Sequence, residues 1–582
     1  MLPRPQLGSK KSLILPKHTS ELASDATTQL TVSNISSTPD EIQPSTSVVS
    51  AEEPDEDDDT EDLQSILHSY IRKDRSPNNG DEVSLAKMNL ASCENVPNDE
   101  FLTKYVLSSR SDQKEVFHHK LKHFFVLSNA GKPIYSLNGA DKVIVGFMGL
   151  ITALVSSVEE TMDQQLQHIN YGESQIVIYN REPLILVAVS KLYHENKTHL
   201  ASQLEYIYSY LLSILSKPAI TRSYQNRMNY DLRKVLTALD FQNLDGICTQ
   251  LSYGQIVEMG ISGVCGLEFF TSHLLDSALP SIRITNTVRK KLNGVLQSCR
   301  KIKEPETRSV LSLSKHDDVV SDLLFSLLVA PPNKIIGLAR PKNHQLSHRD
   351  LSILTYIISS VTSDGNSSSE DLWIPVCMPD FNSNGFLYAF IKNFDLASYV
   401  VVDGKNVPPQ PVQIVLLSSN KNTFDTMQTI ANNILNDITW SESLRCGLSD
   451  DLVSSTQYPV GVDHFVFKSV KHNQFISSDM AKWSANGTSA ASIQLTKFLS
   501  TLYNSKSEPI GDPESPDKKL TYLKWNFDDW SVTGLRLSDT SYEFYSLCNH
   551  SIVSQDLINT SMTIIKWCRN NIRRLTLEEA IF

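Results

Sequence analysis

Apolar and polar positions along the chain fall into two regimes. Residues 1–60 are rich in Ser, Thr and Pro and carry no sustained apolar period. Such a stretch cannot bury enough apolar surface to offset the entropy of ordering, so a disordered tail is expected. Next, Leu63, Ile66, Leu67, Tyr70 and Ile71 fall on one helical face and predict an amphipathic helix over 61–73. Thr60 suits its N-cap, and Glu61 and Asp62 suit the positive end of its dipole. Such a helix either docks in a partner's groove or folds onto its own body.

From about Phe117 short strand-like runs alternate with helix-length segments. Lys122–Ser128 and Pro133–Ser136 predict a hairpin around Asn129-Ala130-Gly131-Lys132, with glycine available for positive φ. A helix is expected from Asp141 to about Glu160. Strands follow at 165–171, 175–179 and 184–189, then helices at 198–216 and 222–239. The order is β-β-α-β-β-β-α-α. It recurs from Asp322, with a helix near 347–361, strands at 372–378, 386–391 and 412–417, and a helix at 423–435. A third copy begins at His464, with a helix near 490–502, strands at 520–527, 534–537 and 543–548, and a helix at 561–572. The expected fold class is therefore α/β: a tail over 1–115, units at 116–240, 319–440 and 441–582, and a helical insert at 241–318.

The helix over Val143–Val158 breaks the usual rule. A helix lying on a sheet shows an apolar stripe and a polar back. This one is apolar almost all round. One face covers its sheet; the other calls for a second cover, either the insert or a partner protein. The run falls short of the roughly 20 apolar residues that span a bilayer, so a buried helix is expected rather than an anchor.

Charge sharpens the division. The 582-residue chain has a formal net charge of −12. Residues 1–110 hold 10 basic and 19 acidic residues (net −9), leaving 43 and 46 (net −3) for the rest. A near-neutral body disfavours nucleic-acid binding, which needs a basic surplus. The acid peaks over 52–59. Ser50, Thr60 and Ser65 lie three residues from acidic residues and are candidate sites for acid-directed kinases. The acidic tail is expected to compete for basic or apolar surfaces of the body.

Catalytic signatures are missing. There is no phosphate-binding glycine loop, no nucleophile elbow and no His-Glu-x-x-His. Pairs such as His119/His123 lack further ligands for zinc. Eight scattered cysteines without Cys-x-x-Cys point to reduced thiols in the cytosol. The N-terminus lacks the apolar core of a secretory signal. No metal and no cofactor are expected.

The hairpin Lys122-His123-Phe124-Phe125-Val126-Leu127-Ser128-Asn129-Ala130-Gly131-Lys132-Pro133-Ile134-Tyr135-Ser136 resembles that of the SAND, or Mon-one, vacuolar-fusion family. Support continues through Ile185–Ser190, Leu204–Tyr208, Tyr224–Arg233 and Trp373–Pro379, so the resemblance covers about 117–582. It implies three longin-like units and a Ccz-one-like triple-longin partner. It also implies exchange of guanine nucleotide on a Rab-seven-type (Ypt-seven-type) GTPase at late endosomes, vacuoles and autophagosomes. A non-catalytic tether or adaptor is the alternative. On this reading Asn129, Lys132, Asn138, Asp141 and Lys142 are candidates for the GTPase surface. Val145, Met148, Thr152 and Ser156 are candidates for the partner's helix. Three basic clusters are candidates for anionic lipid, each basic residue near such a surface contributing about 1 kcal/mol: Arg289-Lys290-Lys291; Arg300, Lys301 and Lys303; and Arg569, Arg573 and Arg574.

Overall fold

The computed structural model describes residues 102–582 apart from 173, 228, 255–265, 302–319, 331–332, 363–369, 401–407, 454–458, 460, 479–488, 506–521, 528–531 and 550–553. The helix expected at 61–73, Ser50, Thr60, Ser65 and Lys303 lie outside the described residues.

Three sheets, each with an antiparallel core of five strands, organise the described residues. The first contains β1 (Lys122–Ser128), β2 (Pro133–Ser136), β3 (His168–Tyr171), β4 (Ser174–Arg181) and β5 (Leu184–Ser190), in the order β2-β1-β5-β4-β3. The strand β6 (Leu279–Pro280) comes from the segment between the first and second sheets. The second sheet repeats the order of the first with β7 (Leu323–Ala330), β8 (Lys334–Arg340), β9 (Leu372–Met378), β10 (Ser383–Asp395) and β11 (Pro411–Ser418). The third does so with β12 (His464–Ser469), β13 (Gln474–Ser477), β14 (Tyr522–Phe527), β15 (Val532–Ser538) and β16 (Tyr542–Asn549). The α/β class and the three longin-like units read from the sequence are thus those of the structure.

Short parallel strands tie the units together. β6 pairs with β13, and β17 (Ala580–Ile581) pairs with β8. Each extends the edge of a sheet built from a distant part of the chain.

The long helices are α1 (Asp141–Met162), α2 (Lys197–Leu215), α3 (Lys217–Asn226), α4 (Ala238–Tyr253), α5 (Gly266–Leu274), α6 (Asn286–Ser298), α7 (His348–Thr362), α8 (Phe424–Trp440), α9 (Glu442–Val453), α10 (Ser489–Asn504) and α11 (Ser554–Asn570). The helix expected over 222–239 is interrupted. Its residues are divided among α3, a 3-10 turn at Leu232–Lys234 and the start of α4. Asp231 Oδ1 accepts from Arg233 N at 3.2 Å and holds the turn. Thr237 and Asp240 then form a reciprocal capping box that starts α4. Local side-chain bonding therefore overrides the helical period. The body also begins earlier than composition suggests. Leu102 and Val106 are buried beside Leu121 and Tyr253.

The alternating strand residues divide the first core in two. Phe125, Leu127, Ile178 and Val187 face α1. Phe124, Val126, Leu186 and Ala188 face α2 and α4. The second face continues into the second unit, where Tyr356 of α7 joins the same core. Polar contacts fix this joint: the Tyr206 and Ser352 hydroxyls meet at 3.1 Å, and Tyr356 Oη donates to Asn243 O at 3.3 Å.

Candidate functional site

The helix after the first hairpin occurs three times, as α1, α7 and α10. Their outer faces meet different fates. No residue of α7 is exposed, because the first unit covers it. No described side chain of α10 is exposed; α5 packs there through Leu267, Phe270 and Leu274. On α1, by contrast, Val145, Gly146, Gly149, Ala153, Ser156 and Ser157 are all exposed. Its inner face is anchored by Val143, Ile144, Phe147, Met148, Ile151 and Val155. α1 is long and apolar enough to cross a membrane by composition, yet this inner face belongs to the core of the sheet.

The candidate partner residues separate accordingly. Val145 is 51% exposed and lies on the open face, as does Ser156. Met148 is fully buried and is no contact for a partner. A helix that is apolar all round does not reveal which direction its sheet lies in. Thr152 is half-buried and donates from Oγ1 to Met148 O at 2.9 Å. A Cβ on Gly131, where φ is +74°, would lie 3.1 Å from that oxygen. The hairpin turn thus sits close against α1, and glycine meets both the spatial and the backbone requirement.

That contact sets the turn against the middle of α1, and a chain of charges through Asp231 and Arg233 links it to the helix start. Asn129 is exposed. Lys132 Nζ lies 3.3 Å from Asp231 Oδ2. Arg233 donates from Nε to Asp231 at 3.1 Å and from Nη1 to Asp141 at 2.8 Å. Lys142, strongly exposed, lies 3.7 Å from Asp112. Burial pushes the Asp231 carboxyl up, but hydrogen bonds from Arg233 and Lys132, with their charge, bring it below the usual carboxylate range. Arg110 donates to both Asp245 oxygens at 2.8 and 2.9 Å beside this rim.

Asn138 does not belong to that surface. It is buried, donating from Nδ2 to Lys122 O at 2.8 Å and accepting from Ser109 N at 3.0 Å. It fastens the 107–112 segment to the end of β2, a structural task for an amide with both a donor and an acceptor. Sequence reading missed Asp231 and Arg233 because they fell inside an expected helix. It missed Arg110 and Asp112 because they fell inside the expected tail.

The basic clusters divide as well. Arg289 is buried and donates from Nη2 to Arg574 O at 3.2 Å, so it joins α6 to the 572–575 turn and offers nothing to lipid. Arg300 is committed to Val320 O and Ser321 O at 3.1 Å each, and lies 4.9 Å over the Phe582 ring. Lys290, Lys291, Lys301, Arg569, Arg573 and Arg574 are exposed. Ile284 N donates to Arg574 O at 2.9 Å, which brings the start of α6 and the 573–574 pair together. Among the described residues no group of three His, Cys, Asp or Glu side chains is placed to hold a metal ion. His119 Nδ1 contacts Glu115 O at 2.5 Å, while His123 is buried in β1, where burial pushes its imidazole well below the ordinary range.

Sheet order, helix placement and an open helix face define a protein of three longin-like units. The model for the first longin domain of FUZ, MON1 and HPS1 matches residues 122–247, and that for the second matches 321–436. The chain is 36% identical to the vacuolar fusion protein MON1 of Candida albicans over 488 residues, 82% of this chain and 79% of that protein. It is 25% identical to the MON1 of Saccharomyces cerevisiae over 503 residues (79% and 72%), and 27% identical to the protein SAND of Takifugu rubripes over 473 residues (79% and 77%). The chain belongs to the MON1/SAND family of vacuolar fusion proteins.

Proposed function

We propose that this chain is one subunit of a guanine-nucleotide exchange factor for a Rab-seven-type GTPase, paired with a Ccz-one-like triple-longin protein. The carrying observation is the outer face of α1, left exposed among the described residues, when its counterparts α7 and α10 are covered within the chain. An apolar face of small side chains suits close approach by another helix. The charged rim formed by Lys132, Asp141 and Lys142 at one end of α1 gives a GTPase a second contact adjoining that interface. Exchange requires no side-chain chemistry. It requires binding energy that holds switch I away from the nucleotide, so that the magnesium and phosphate contacts ordering the switch are lost.

Release of labelled GDP from a Rab-seven-type GTPase tests this reading. The assembled pair is expected to accelerate release well above the spontaneous rate. A verified complex that binds the GTPase without acceleration would instead identify a tether.

Work at late endosomes and vacuoles also calls for membrane attachment, and Lys290, Lys291, Arg573 and Arg574 support it as an exposed basic group. Reversing Arg573 and Arg574 to Glu is expected to weaken binding to anionic liposomes at least about tenfold at low salt. Unchanged flotation would remove this group from the membrane-facing surface.

A further inference from the structure

We infer that Arg233 is the positioning residue of the charged rim, and that it acts by bridging two carboxylates from separate chain segments. The inference rests on the exchange reading above and assigns a role to residues that reading does not use.

Three segments meet at the rim: the hairpin turn with Lys132, the 3-10 turn with Asp231 and Arg233, and the first residue of α1, Asp141. The charges alternate in order across them: Lys132, Asp231, Arg233, Asp141. Arg233 is the only one of the four that reaches two acids on different elements, through Nε to Asp231 and Nη1 to Asp141. Its backbone is anchored on the core and on the same Asp231 oxygen that takes the Nε bond. Leu232 is buried in the core beneath it, and Asp231 Oδ1 accepts from Arg233 N at 3.2 Å. The guanidinium is therefore presented from a fixed turn rather than from a free loop.

The fork geometry matters. A planar guanidinium directs separate N–H groups at separate acceptors, whereas a lysine ammonium is a point charge on a flexible stem. Asp141 is mostly exposed and heads a helix whose N-cap is Ala140, which has no capping side chain. Without Arg233, nothing in the described contacts fixes the direction of the Asp141 carboxylate. With it, the Asp141 carboxylate and the Lys132 ammonium are held at set positions on either side of the Asp231–Arg233 pair. A partner recognised there is a protein segment carrying both a basic and an acidic group, matched in spacing to Asp141 and Lys132.

The Arg233–Asp141 pair is exposed, and such pairs contribute little to folding, typically about 0–1 kcal/mol, whereas the Asp231–Arg233 pair is part-buried, which is why melting temperature is read alongside the kinetics. A role in positioning is therefore separable from a role in stability. The test is GDP release by the assembled complex at several GTPase concentrations, comparing wild type, Arg233→Ala, Arg233→Lys and Asp141→Asn. Arg233→Ala is expected to lower kcat/KM about tenfold, mainly through KM, with assembly and melting temperature unchanged. Arg233→Lys is expected to recover less than half of that loss, because it restores the charge but not the bridge. Asp141→Asn is expected to add little when combined with Arg233→Ala, since both break one contact.

Wild-type kinetics in Arg233→Ala would overturn the inference. So would full recovery in Arg233→Lys, which would reduce the residue to its charge. Loss of assembly or melting temperature in Arg233→Ala would make its role structural and overturn the inference too. Failure of the wild-type complex to release GDP would be a different result, overturning the exchange reading on which this one stands.

Discussion

Arginine in place of Gly149 is expected to leave the chain folded and abolish its pairing with a second longin protein. A Cβ at Gly149 would meet nothing within 4 Å, so the site has room for a side chain. Replacing glycine inside a helix removes a propensity penalty of about 0.8–1 kcal/mol. The variant should therefore melt at or slightly above the wild-type temperature. Pairing is different. The exposed face runs through Val145, Gly149, Ala153 and Ser156, and a guanidinium at its centre blocks close helix approach and adds a charge that must be desolvated. Co-purification should fall to background, whereas Met148→Asp should destroy the fold itself, because Met148 is fully buried. Intact pairing in the Gly149→Arg variant would place the interface elsewhere.

The largest expected effect on stability lies under the first sheet. Lys122 Nζ, fully buried, donates to Glu195 Oε1 and to Gln203 Oε1, at 2.5 Å in each case. Glu195 also accepts from Ser190 Oγ at 2.5 Å and from Gln203 Nε2 at 3.0 Å. Burial pushes the Glu195 carboxyl up, but the Lys122 ammonium foremost, with His199 and His194, overcomes this and brings it down to about 2. Burial by itself drives Lys122 toward neutrality, and Glu195 opposes it. The two hydrogen bonds donated by Nζ favour the charged pair. Glu195→Gln strands that charge and is expected to cost about 3–5 kcal/mol in denaturant unfolding. The folded pKa of Glu195 lies below its ordinary value of 4.5, so its contribution is complete above about pH 4.5 and is lost as pH falls toward 2. Unfolding followed over that range should show stability falling more steeply in wild type than in Glu195→Gln, where other lowered carboxylates such as Asp231 still titrate. A variant as stable as wild type would mean the pair carries no net weight.

Much of the architecture was legible in the chain itself. The hairpin at 122–136 and the strand at 372–378 follow from short apolar runs bounded by turn residues. The recurrence of one element order foretold three sheets of one topology. Where the reading failed, a local side chain had overruled the period. Asp231 and the Thr237/Asp240 box split a continuous helical pattern, and that break is what carries Arg233 to the rim. Asn138 failed for a related reason: an amide beside a turn reads as surface, and only its two buried partners show otherwise.

The elements, their repetition and the unusual apolarity of α1 are written in the order of residues, because periodicity and turn chemistry act between near neighbours. Which outer faces remain open is settled by long-range packing. That outcome rests on contacts between residues far apart in the chain, such as Tyr206 with Ser352, Phe269 with Tyr356, and Leu267 with Leu495. These contacts cover α7 and α10, whereas among the described residues α1 stays exposed, and no local pattern distinguishes an apolar face buried by its own chain from one awaiting another.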